Sequence, residues 1–104
     1  MASVYITEYN DYCAICGKRA EAKHHLIFGT GLRALAEEDG LTLPLCNECH
    51  DIGVRVSRVH DNPMAERLSK ICGQLAYEKA EVAVGASQED ARVRFRTRYG
   101  RSYL

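Results

Sequence analysis

The sequence predicts a small α+β domain stapled by zinc, and three observations lead there. Two matched Cys-x2-Cys pairs, Cys13/Cys16 and Cys46/Cys49, are separated by 29 residues. Two short strand-like stretches, 22–28 and 41–45, lie between the pairs. Residues 62–104 carry helical periodicity and capping signals.

Each element follows in chain order. Residues 4–12 are a short lead-in. The stretch "CAICGK" is a knuckle-like turn, with Gly17 admitting a left-handed backbone. Residues 22–28 read as a strand holding the pair His24-His25. Neighbours on a strand point to opposite faces, so one imidazole can meet an ion while the other meets a different partner. Residues 32–38 suit one helical turn. Residues 41–45 make a second strand, and Pro44 places it at an edge. The second knuckle, "CNECH", leads into a short helix over 47–52 that stops at Gly53, because glycine costs a helix about 1 kcal/mol relative to alanine. Asn62 as N-cap and Pro63 at the first position open a long helix. Met64, Leu68, Ile71 and Leu75 repeat at helical spacing, Cys72 reads as a small core residue, and Gly85 is the expected C-cap. The tail "RVRFRTRY" alternates as a strand would. Ser87 with Asp90, however, resembles a capping box, and Ala91, Phe95 and Tyr99 share one helical face, so a helix ending at Gly100 is expected.

Composition bounds the function classes. The 104 residues fit one domain, which buries a modest core and gains from a staple. Lys+Arg and Asp+Glu both total 14, so net charge points to no partner. The opening "MASVYITEYN" has neither a basic segment nor an apolar core. Neither a signal peptide nor a membrane span is expected, and a cytoplasmic location follows. Cysteines there stay reduced, so the two pairs read as ligands of one tetrahedral zinc rather than disulfides. His24, His25, His50 and His60 are the only histidines, and all fall in the 48-residue span that holds the thiols. That concentration favours a second, histidine-rich site.

The stretch "HHLIFGTG…DGLTLPLCNECH" resembles the HNH nuclease family, over about residues 13–60. The following "VHDNP" and the terminal "RYGRSYL" resemble phage-type members, some linked to recombination. The resemblance implies a ββα-metal (His-Me finger) core at 13–60, a helical part at 62–104, and an endonuclease that hydrolyses DNA phosphodiester bonds. It implies His25 as general base, His24, His50 and His60 as ligands of the catalytic ion, and a structural zinc on Cys13, Cys16, Cys46 and Cys49 that pins hairpin to helix. The implied partners are DNA and phage or host recombination proteins, with no membrane. Imidazoles suit zinc, nickel and manganese, whereas phosphate and water oxygens also admit magnesium. Two departures stand out. The family's middle asparagine is missing from "EEDGLTLPLC"; either Asp39 substitutes or the role is absent. His50 and His60 are ten residues apart, about 15 Å on an unbroken helix. Either Gly53 breaks the helix and the chain folds back, which is the expectation, or His60 is not a ligand.

The chemistry suits these groups: a near-neutral imidazole can activate water, and a divalent ion can neutralise phosphate oxygens. To hold DNA, the tail offers Arg92, Arg94, Arg96, Arg98 and Arg101, with Arg55 and Arg58 after the second knuckle. A merely solvated charged face weighs equally. The rival function is a non-catalytic zinc module that binds nucleic acid or protein and has no need for four grouped histidines. A decayed nuclease is the third.

Overall fold

The computed structural model describes residues 4–104; residues 1–3, part of the N-terminal stretch read above for a leader, lie outside the described residues. The order is β1 (Ala22–His25), α1 (Leu32–Asp39), β2 (Thr42–Leu45), a π-helical turn (Glu48–Ile52), α2 (Pro63–Ala83) and α3 (Gln88–Tyr99). The architecture is α+β. The two strands pair antiparallel, with His24 opposite Leu43 and His25 opposite Thr42. Among the described residues no helix is long and apolar enough to cross a membrane.

β1 stops earlier than the expected 22–28 because Leu26 and Ile27 are both fully buried, which a strand's alternation forbids for neighbours. They leave the strand to enter the main core with Ala36, Leu41, Tyr77, Phe95 and Tyr99. Phe95 stacks on Tyr99 at 4.6 Å and meets the edge of Tyr77 at 5.4 Å. Burying each such ring contributes roughly 1.5–3 kcal/mol. A smaller cluster of Cys13, Leu45, Cys46 and Val59 lies under the knuckles. α1 extends for two turns rather than one, since Leu32, Leu35 and Ala36 all find the main core.

α2 starts as expected: Asn62 Oδ1 accepts from the Ala65 amide, with Pro63 in the first turn. Its buried face is not the expected one. Met64, Leu68 and Leu75 are 74%, 59% and 53% exposed, and Cys72 is exposed beside them rather than in the core. The buried residues are Ser69, Gly73, Gln74, Tyr77 and Glu81. Close approach explains the reversal. A Cβ on Gly73 would stand 2.8 Å from Ile27 Cδ1 and 3.0 Å from Leu26 Cβ, so only glycine lets α2 lie this near the residues after β1. The polar side chains on that face all have partners. Gln74 binds Glu78, Ser102 and the Tyr103 amide, and Glu81 holds Arg94. α3 forms as expected. Ser87 Oγ accepts from the Asp90 amide, and Ala91, Phe95 and Tyr99 face inward.

Candidate functional site

Among the described residues, two groups of side chains could hold a metal ion. The first is the four cysteines. Cys13 and Cys16 sit on the turn closed by the Gly17 amide to Cys13 oxygen bond (2.9 Å), and Cys46 and Cys49 on the turn leaving β2. The Ala14 amide donates to Pro44 oxygen at 2.9 Å and locks the two turns together. All four sulfurs lie within 4.8 Å of one another, and Cys16 Sγ is 3.6 Å from Cys46 Sγ. A tetrahedral zinc with thiolate bonds near 2.3 Å sets sulfurs about 3.8 Å apart, so the set fits zinc. Burial raises Cys13, but the amides of Cys16, Cys46 and Ile15 outweigh it and bring the thiol down to about 6; burial and its neighbouring thiols push Cys49 up. The four cysteines therefore form a candidate structural zinc site.

The second group is His24, His50 and His60, with one ring nitrogen from each within 4.8 Å of the others. The chain folds back after Gly53, as the spacing required. A Cβ there would collide with Glu48 oxygen. The return is fixed by the Val59 amide on Cys49 oxygen (2.9 Å) and the His60 amide on His50 oxygen (3.0 Å). Arg58 braces the loop through Gly53 oxygen, His60 oxygen and Asp61, and Arg55 donates to Asp61 oxygen. His50 Nε2 and His60 Nε2 come to 3.1 Å. Their Nδ1 atoms each lie 3.8 Å from a carboxylate, Asp51 and Glu66 respectively. Both Nε2 atoms thus face each other, with the carboxylates on the Nδ1 side of each ring.

His24 is oriented differently. It is 1% exposed, and its Nε2 lies 2.8 Å from Ser69 Oγ. Ser69 gives its only proton to Leu26 oxygen at 2.9 Å, so it accepts from His24 Nε2–H. In the neutral ring Nδ1 is then the unprotonated nitrogen. That atom is buried and has no hydrogen-bond partner. Burial, with His60 and His50 adding to it, lowers this imidazole to about 3, and burial lowers His50 as well. An orphaned buried lone pair beside two inward Nε2 atoms is a donor set that fits a divalent cation.

His25, on the other face of β1, lies at the wall of an open cleft of about 470 Å³ lined also by Phe28, Arg33, His50, Asp51 and His60. Its Nε2 is 3.8 Å from Glu37, which also pairs with Lys23 at 3.1 Å. Burial lowers the His25 pKa, with Glu37 opposing, so the ring is neutral near pH 7.

The tail arginines do not join this cleft. Arg92 pairs with Glu78 and Arg94 with the buried Glu81, each at 2.7 Å, tying α3 to α2. Arg98 Nε donates to Asp39 at 2.7 Å and also reaches Glu38. Arg101 lies over the Tyr103 ring at 4.9 Å, and Arg96 is exposed on α3. Asp39, weighed above as a substitute for the missing asparagine, is buried and accepts from Arg98 and from Tyr99 hydroxyl at 2.6 Å, so its carboxylate ties α1 to α3.

A family model described as a protein of unknown function (DUF968) matches residues 5–85. The chain belongs to the DUF968 family. The match takes in both cysteine pairs, all four histidines and the whole of α2 in this DUF968 chain, and ends before α3. No curated protein and no solved structure matches the chain.

Five residues around the histidines, Ser69, Glu37, Arg33, Asp51 and Glu66, were not singled out from the sequence. Ser69 looked like an ordinary helical serine. Glu37 sat inside the acidic run "EED". Arg33 lay outside the arginine clusters that drew attention. None carries a local signal; only the fold brings them to the site.

Proposed function

We propose that this DUF968 chain is a metal-dependent endonuclease of the HNH type, with a ββα-metal core, that hydrolyses DNA phosphodiester bonds. One observation carries the reading. The paired histidines are divided by the strand, His24 buried in an imidazole cluster with the half-buried His50 and His60, and His25 on the wall of the cleft that reaches the same cluster.

A divalent ion on the three imidazoles would neutralise phosphate oxygens and stabilise the leaving 3′ oxygen. His25 accepts the proton of the attacking water. It can do so because burial keeps it neutral. Glu37, 3.8 Å away, stabilises the imidazolium once it forms. Ser69 holds the His24 ring with Nδ1 free, and the carboxylates of Asp51 and Glu66 lie on the Nδ1 side of His50 and His60. The four-cysteine zinc anchors the end of β2 from which the turn bearing His50 departs. Imidazole donors favour zinc, nickel or manganese, and phosphate and water oxygens extend the choice to magnesium. The recombination-linked resemblance extends the proposal to partners among phage or host recombination proteins.

The test is nicking of supercoiled plasmid. Purified protein should nick with manganese or magnesium and stop on chelation. No nicking with any divalent ion, from a folded protein that has kept its zinc, would return the chain to the non-catalytic zinc module.

A further inference from the structure

The cleft beside the histidines is lined by two cationic side chains, Lys23 and Arg33, and one carboxylate, Asp51. Lys23 is neutralised by Glu37 at 3.1 Å. Arg33 is exposed on the first turn of α1 and, among the described residues, makes no ion pair and no hydrogen bond. Arg58, Arg92, Arg94 and Arg98 each bind a carboxylate, whereas Arg33, among the described residues, is an unpaired arginine on the wall of this cleft. Arg33 shares the wall of this cleft with His25, His50 and His60. The first turn of α1 has no acidic residue to offset it. An arginine without an ion pair, on the wall that also carries His25, leaves its guanidinium free to take an anion that enters the cleft.

We propose that Arg33 is the phosphate-binding residue of this cleft, its guanidinium fork holding non-bridging oxygens of the nucleic-acid phosphodiester presented to His25. This deepens the nuclease reading above and rests on it. The planar fork of arginine matches the paired oxygens of a phosphate, which a lysine point charge does not. The site adds a phosphate contact on the wall that carries the proposed general base.

The experiment compares wild type with Arg33→Ala, Arg33→Lys and Arg33→Glu, zinc-loaded and with no other divalent ion added. Anisotropy of a fluorescein-labelled duplex oligonucleotide is measured across a salt series, and plasmid nicking is followed separately with manganese. Arg33 touches no protein partner, so zinc content and thermal unfolding should match wild type in all three. Arg33→Ala should bind about tenfold more weakly, the scale of one charged hydrogen-bond contact. It should also lose roughly one unit of salt slope. Arg33→Glu should bind more weakly still. Arg33→Lys should keep the slope and recover only part of the nicking rate. If wild type binds and nicks while Arg33→Ala equals it in affinity, slope and kcat/KM, the Arg33 proposal is overturned and the nuclease reading stands. If wild type neither binds nor nicks, both fall together.

Discussion

The four thiols and the three imidazoles are both candidate metal sites, yet they differ in what surrounds them. The cysteines form a set of four on two locked turns, with no ligand position left over. The histidines are three, beside an open cleft, with Ser69 hydrogen-bonded to His24 and the carboxylates of Asp51 and Glu66 3.8 Å from His50 and His60. A closed set of thiolates serves folding; an incomplete set facing a cleft leaves room for substrate oxygens. The difference teaches that two candidate metal sites of one small chain, only a strand apart, differ both in ligand type and in access to a cleft.

The contrast can be broken at its strongest point first. Cys46→Ser should release the zinc and unfold the knuckle half, as read by metal analysis and circular dichroism. A structural zinc contributes on the order of 10 kcal/mol, comparable to the whole stability of an ordinary small domain. A folded, zinc-free Cys46→Ser would mean that the cysteine cluster is not structural. Ser69→Ala should act on the other site alone. By freeing the His24 ring it should weaken manganese binding by about 10–100-fold, with zinc retained. Nitrogen-15 spectra should show the Nε2-protonated His24 tautomer in wild type and its loss in the variant; an Nδ1-protonated ring in wild type would remove the relay. Smaller again is Tyr99→Phe, which deletes the 2.6 Å bond to Asp39. It should cost about 1.5 kcal/mol in denaturant unfolding and leave both metal affinities unchanged. Altered manganese binding there would show that the helical half and the histidines are coupled.

Much of this was legible in the sequence. The cysteine pairs announced themselves by spacing, and Asn62-Pro63 and Ser87-Asp90 marked two helix starts. The break at Gly53 followed from the need to bring His50 and His60 together. The orientation of α2 was not legible. Met64, Leu68 and Leu75 have the right period but lie on the exposed side, because the approach of Gly73 to Leu26 and Ile27 sets the rotation of the helix. Periodicity finds a helix; it does not say which face a neighbouring backbone will claim. The partners of Arg92, Arg94 and Arg98 were not legible for a related reason. A charge cluster in sequence says nothing of the carboxylates that other helices bring to it, and Glu78, Glu81 and Asp39 come from α2 and α1.

The central claim is that His24 and His25, adjacent in sequence, do separate jobs. The most direct measurement is plasmid nicking by His24→Ala and His25→Ala across a manganese titration, with zinc content and DNA affinity checked alongside. His25→Ala should lose about 10²–10⁴-fold in rate at every manganese concentration. His24→Ala should lose activity at low manganese and regain part of it as manganese rises. Rescue of His25→Ala but not of His24→Ala would reverse the two roles, and full activity in both variants would contradict the account.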